Sequence, residues 1–207
     1  MLKPNVMCDI DGVISDAMGP MYDELKRRGF PLDPRDNLHY HAVGEQLETV
    51  HGHSKEESEA LLADIFWGEG FLLNQPVRLD AVRALPRIVG IAKEVHMVTA
   101  RDTLTRPHVV RETTLWLERY GFSYNALAFE KDKITYCREK GMSYVIEDAP
   151  HTAEMAYRHG YGVFLVNATY NQEVKPKARL WRVDSLCEIP EIMENDWSLI
   201  QKMVDRG

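Results

Sequence analysis

The chain has 207 residues, with 32 Asp and Glu against 25 Lys and Arg, giving a formal net charge of -7 and a sequence pI near 5.6. Hydrophobic residues make up 44% and charged residues 28%, which excludes a disordered chain or a coiled coil; the acidic balance argues against binding long nucleic acid, which depends on neutralising phosphates. The length suits one α/β core with a small insertion, and the three cysteines, Cys8, Cys137 and Cys187, form no CxxC pair and fit a reducing compartment.

The opening MLKPNVMCDIDG holds no apolar signal core, and no apolar run reaches membrane-spanning length. A soluble, cytoplasmic protein is therefore expected. Val6-Met7-Cys8 is a short buried strand that ends in the polar turn Asp9-Ile10-Asp11-Gly12. AMGPMYDELKRRG carries helical spacing and stops at Gly29. Residues 31–53 are rich in His, Pro, Asp and Gly and show no clear period. Ser54 and Glu57 form a capping-box pattern that opens a helix running to about Phe66.

GEGFLLNQPV reads as a loop. LDAVRALPRIVGIAKE is a helix with Pro86 as an internal irregularity. Val95 to Val98 form the next buried strand and deliver Thr99. VVRETTLWLERYG is a helix closed by Gly121, Ala126 to Phe129 a strand, and Lys133 to Lys140 a helix stopped at Gly141. Tyr144-Val145-Ile146 is a strand ending in Glu147-Asp148. A helix around HTAEMAYRHG leads to the strand Gly162 to Val166, and the tail from Ile189 to Val204 is helical. Strands alternating with helices predict an α/β fold with a parallel sheet covered on both faces. Residues 17–76 interrupt that alternation and read as a small helical cap inserted into a core made of 1–16 and 77–207.

In such sheets the functional site lies at the carboxyl ends of the strands. The residues there are Asp9, Asp11, Thr99, Glu147 and Asp148. A carboxylate such as Asp9 can attack phosphorus and split one hard hydrolysis into two easier steps. A second carboxylate two residues on, Asp11, can give and take the proton. Gly12 lets the backbone turn tightly beside a bound phosphate. Repulsion between carboxylate and phosphate calls for a cation, and Mg²⁺ prefers oxygen ligands; Asp148 completes such a site with Asp9. Thr99, with Ala100 beside it, and Lys133 suit the phosphoryl oxygens.

Taken together, VMCDIDGV, HMVTAR, the lysine in FEKDKITYC and YVIEDAP resemble the four ordered motifs of the haloacid dehalogenase-like phosphatases. The resemblance covers nearly the whole chain. It implies a Rossmann-like core, Asp9 as nucleophile, Asp11 as acid/base, Thr99 and Lys133 as phosphate binders, and Mg²⁺ held by Asp9, Asp148 and the Asp11 carbonyl, with Glu147 in support. DGVISD, GFLLNQPV, VTARD, TTLWLERYG and FLVNATYNQ are similar to the 5'(3')-deoxyribonucleotidases and their bacterial and viral relatives. That branch implies a nucleoside monophosphate substrate. The chain departs from its animal members in having Thr99-Ala100-Arg101 for Thr-Ser-Pro, and Glu147-Asp148 for paired aspartates.

Other readings stay open at this level. The substrate is alternatively a sugar phosphate or a nucleic-acid 3' end, or the chain binds nucleotide without turnover. A homodimer is also compatible. Phe66, Trp67 and Phe71 either stack on a base or pack the cap core. His39, His41, His51 and His53 lack matching acid or cysteine ligands, so solvated loop histidines are expected rather than zinc. Lys131 competes with Lys133, and Arg101 either steers substrate or pairs with a surface acid.

Overall fold

The computed structural model describes residues 3–33, 40–101, 103–104 and 106–204. Six parallel strands form one sheet: β1 (Asn5–Cys8), β2 (Glu94–Thr99), β3 (Ala126–Phe129), β4 (Tyr144–Glu147), β5 (Gly162–Val166) and β6 (Leu180–Val183). Their order is β3-β2-β1-β4-β5-β6. Cys8 pairs with Met97 on one side and Ile146 on the other, so the order reverses at β1. That reversal opens a crevice at the carboxyl ends of β1 and β4.

Side chains alternate across the sheet because the strand period is two. Val6, Cys8, Tyr144 and Ile146 enter the core on one face, while Met7 and Val145 enter the core on the other. Both faces are covered, as a parallel sheet requires. The first face meets α4 (Leu79–Ile91), α5 (His108–Arg119) and α8 (Ile189–Val204) through Leu85, Ile88, Trp116 and Met193. The second meets α6 (Lys133–Glu139) and α7 (Pro150–Arg158) through Tyr136, Cys137, Ala153 and Ala156. Pro86 sits inside α4 on its exposed side.

Between β1 and α4 lie α1 (Met18–Arg27), α2 (Tyr40–His51) and α3 (Lys55–Phe66), followed by a 3₁₀ turn at Leu72–Asn74. These gather their own buried cluster, including Met21, Leu25, Val43, Leu47, Leu62 and Leu72. The chain leaves and returns side by side: Asp16 N donates to Pro76 O at 2.9 Å and Arg78 N to Ile14 O at 2.9 Å. The capping box opening α3 is present, with Glu57 N donating to Ser54 Oγ at 3.1 Å and Ser54 N to Glu57 Oε2 at 2.7 Å.

Two elements differ from the sequence reading. Tyr40–His51 is helical rather than irregular; its Val43 and Leu47 are four apart and face one way, a stripe too short to stand out among polar neighbours. Strand β6 was not anticipated. LWRV alternates burial poorly and carries an arginine, yet it pairs along β5 from Val163↔Leu180 to Val166↔Val183. No helix among the described residues is long and apolar enough to cross a membrane.

Candidate active site

The backbone leaves β1 at Asp9, whose N–H donates to Ile146 O at 3.0 Å. This last rung fixes Asp9 beside the end of β4. Its carboxylate is nearly buried. Lys133, the first residue of α6, places Nζ 2.8 Å from Asp9 Oδ2 and 2.9 Å from Glu147 Oε2. Asp132 caps that helix by accepting from Thr135 N at 3.0 Å, which aims Lys133 back at the strand ends. Glu147 Oε1 accepts from the N–H groups of Asp148, at 3.3 Å, and Ala149, at 3.2 Å.

Asp9, Glu147 and Asp148 each offer a carboxylate oxygen, and these lie within 4.8 Å of one another. Three buried acids face one buried lysine. Burial, then the Glu147 carboxylate, pushes Asp9 well above the usual carboxylate range, with Lys133 opposing. Burial and the Asp9 charge push Asp148 up to about 6. Glu147 is raised by burial against the pull of Lys133. The three carboxylates are thus crowded beyond what Lys133 alone relieves. A hard dication with oxygen preference answers both the donor set and the charge, so the residues fit Mg²⁺.

Gly12 is needed beside them. Its φ is +76°, and a Cβ there would lie 2.0 Å from Asp148 Oδ2. Tyr170, in the 3₁₀ turn after β5, donates its hydroxyl to the same Asp148 oxygen. Asn171 Nδ2 donates to Asp148 O at 2.8 Å. Neither residue is singled out by the sequence, although both lie in the FLVNATYNQ segment that carries the resemblance. NATYNQ follows β5 directly, so its strand-end position is a further signal.

Asp11 faces a different partner. Arg101 grips it as a fork, Nε to Oδ2 at 2.9 Å and Nη2 to Oδ1 at 2.8 Å. Thr99 Oγ1 donates to Oδ2 and Ser15 Oγ to Oδ1, each at 3.4 Å. Burial alone would raise Asp11, but the Arg101 guanidinium outweighs it and holds the carboxyl below its ordinary value. Of the two readings of Arg101, pairing with an acid is the one observed, and the acid, Asp11, is half-buried on the cleft lining.

Asp9, Asp11, Gly12, Thr99, Ala100, Lys133, Glu147 and Asp148 all line one cleft of about 430 Å³. Lys131 reaches the same cleft from an exposed position, whereas Lys133 is buried. Phe66 and Trp67 line it from α3 and the residue after it, with Met18 from α1. Phe71 packs against Phe66, ring centroids 5.5 Å apart, and stays out of the cleft lining. The histidines form no metal group among the described residues. His51 and His53 edge the Phe30 ring at 5.6 and 4.7 Å. His39 and the side chain of His41 lie outside the described residues.

No protein-family model matches the chain, and no curated protein matches it in sequence. Solved structures do match. A predicted phosphoglycolate phosphatase from Haemophilus somnus superposes with a TM-score of 0.63 at 16% identity, covering 92% of this chain and 97% of that one. A haloacid dehalogenase-superfamily hydrolase, subfamily IA, from Geobacter sulfurreducens gives 0.57 at 17%, covering 92% and 96%. A hydrolase of the same family from Deinococcus radiodurans, with bound phosphate and sodium, gives 0.55 at 15%, covering 90% and 93%. At these identities the likeness establishes the fold.

Proposed function

We propose that this chain is a Mg²⁺-dependent phosphomonoester hydrolase that works through an aspartyl phosphate on Asp9. The observation that carries the reading is Asp9 itself: a buried carboxylate at the end of β1, 2.8 Å from Lys133 and grouped with Glu147 and Asp148 at the floor of a cleft. A buried carboxylate in a cleft, with a perturbed pKa and a specific cation partner, marks a candidate functional group.

Asp9 attacks phosphorus, and the ester P–O bond breaks. The departing oxygen takes a proton through Asp11, whose carboxylate Arg101 holds ionised in the free protein and which therefore relays that proton from solvent. Water then attacks the phosphoryl group, Asp11 takes its proton back, and inorganic phosphate leaves with Asp9 restored. Asp9, Asp148 and the Asp11 carbonyl would hold Mg²⁺, which supplies charge neutralisation on the phosphoryl oxygens. Lys133 balances the buried acids and offers positive charge to the cleft, and Thr99 and the backbone at Ala100 flank the phosphate position.

Residues 17–76 act as the cap, and their apolar wall of Met18, Phe66 and Trp67 faces the acidic floor. A flat aromatic group fits such a wall. A (deoxy)nucleoside monophosphate is therefore the substrate class favoured here, in keeping with the sequence resemblance. The Haemophilus neighbour, a predicted phosphoglycolate phosphatase, supports a second reading, a small carboxylated phosphate.

The test is phosphate release from nucleoside monophosphates, phosphoglycolate, sugar phosphates and an aryl phosphate, with and without Mg²⁺, alongside Asp9→Asn. Mg²⁺-dependent release that Asp9→Asn abolishes supports the mechanism; preference for nucleotides supports the substrate. Turnover retained in Asp9→Asn overturns the mechanism.

A further inference from the structure

Beside the catalytic cleft lies a second concavity of about 310 Å³, between α6 and α7. Lys131, Lys133 and Thr152 line both spaces, so the two adjoin. Four basic side chains line the second one, Lys131, Arg138, His151 and His159, and all four are exposed. Helical spacing sets them on facing walls. His151 and His159 lie two helical steps apart along α7 and its capping residue, while Thr135 and Arg138 are three apart on α6. Asp132 is the acid of this lining, and its carboxylate is engaged in capping α6 through Thr135 N.

The bases of this groove are unpaired. None of Lys131, Arg138, His151 and His159 makes an ion pair among the described residues, whereas Arg158 of α7 and Lys177 both pair with Glu154, at 3.6 and 3.8 Å. Arg138 makes one long contact, from Nη2 to Thr135 Oγ1 at 3.4 Å. His159 donates Nδ1 to Met155 O at 2.8 Å, which leaves its Nε2 without a partner among the described residues. A concavity lined by one sign of charge focuses its field on counter-ions. The groove also has a definite place relative to the aromatic wall. Helices α6 and α7 cover one face of the sheet and α5 the other. Trp67 is held from the α5 side, where His108 Nε2 donates to Trp67 O at 2.9 Å. Wall and groove therefore flank the acidic floor from opposite sides.

We propose that this groove is a second anion subsite, and that it holds a further phosphate of the substrate while the reacting phosphoryl group lies against Asp9. This rests on the reading of Asp9 as the phosphoryl acceptor, and it narrows the substrate from a nucleoside monophosphate to a nucleoside that bears a second phosphate. Such a bisphosphate matches three places at once. Its base meets Phe66 and Trp67, one phosphate meets the acidic floor, and the other meets Lys131 and Arg138. Phosphate oxygens accept hydrogen bonds, and the ammonium, the guanidinium and the Thr152 hydroxyl donate them. The groove takes no part in making or breaking bonds. Its role is affinity and the choice between one phosphate and two.

The probes are adenosine 5'-monophosphate and adenosine 3',5'-bisphosphate at saturating Mg²⁺. Phosphate release is measured for the wild type, Arg138→Ala, Arg138→Lys and the double variant Arg138→Ala/His159→Ala. Lys131 is left in place because it also lines the catalytic cleft. The wild type is expected to show a KM ~10-fold or more lower for the bisphosphate. The double variant loses that preference while its kcat and KM on the monophosphate stay within about 2-fold of the wild type. Arg138→Lys keeps part of the preference, and added NaCl shrinks it, since the groove is open to solvent. Equal KM values for the two probes in the wild type, a preference that survives in the double variant, or a loss equal on both probes overturns the subsite. Where neither compound is hydrolysed, calorimetric titration with the same two decides the groove: tighter bisphosphate binding that the double variant loses sustains it, and equal binding overturns it. Failure on an aryl phosphate as well is the separate result that removes the hydrolase reading.

Discussion

The Nζ of Lys133 stands 2.8 Å from Oδ2 of Asp9, joining the first residue of α6 to the residue that ends β1. Both groups are buried. The pair leans on Glu147 as well, 2.9 Å from the same ammonium. Lys133→Met leaves two buried carboxylates without their cation, a class of change that costs about 3–5 kcal/mol. Denaturant melts of the metal-free protein are expected to register that loss. Added Mg²⁺ should recover part of it, since a second cation can take over the charge.

Asp9→Asn is expected to behave oppositely. Burial and Glu147 already disfavour the ionised Asp9, so a neutral amide relieves repulsion. Its metal-free melting temperature should not fall below that of the wild type. Phosphate release should nevertheless drop by roughly 10⁴-fold or more, as for loss of a nucleophile.

Mg²⁺ binding should depend on pH through Asp148. Its carboxyl is pushed up to about 6, and a carboxylate must be ionised to ligate. At pH 5 the proton competes with the metal, and at pH 7.5 it does not. The rise in melting temperature on adding Mg²⁺ should therefore be larger at pH 7.5 than at pH 5. For the metal-free protein the sign reverses. A carboxyl raised in the folded state favours folding while its proton stays on, so this contribution is lost as pH rises through about 6. An equal Mg²⁺ effect at both pH values would remove Asp148 from the ligand set.

Gly12→Ala tests the crowding at the turn. The residue has φ +76°, and its new Cβ would meet Asp148 Oδ2 at 2.0 Å. The backbone penalty alone is about 1–2 kcal/mol. Calorimetric titration should show weakened Mg²⁺ binding as well, because Asp148 has to move.

Ser54→Ala removes the oxygen that accepts from Glu57 N. The expected cost is about 1 kcal/mol, or a fall of roughly 2–4 °C in melting temperature for a chain of this size. Mg²⁺ affinity should be unchanged, since α3 begins away from the acidic floor.

The sequence by itself determined the alternation of strands and helices, the residues at the strand ends, and the capping box at Ser54 and Glu57. Each is a local signal: a short β-branched run, a Gly stop, a cap residue at fixed spacing. It also picked out Asp9, Asp11, Thr99, Lys133, Glu147 and Asp148, which the structure brings to one cleft. Only the tertiary structure decided how they are divided. Lys133 serves Asp9 and Glu147, whereas Arg101 serves Asp11. No spacing rule announces that division, because the partners lie on different elements, with Lys133 on α6 and Arg101 after β2, and meet only where the sheet order reverses at β1. Tyr170 and Asn171 entered for the same reason, as did strand β6, whose weak pattern needed the edge of β5 to become a strand at all. Hydrogen-bonding partners far apart in sequence are chosen by where the backbone brings their donors and acceptors together, and that choice exists only in the folded chain.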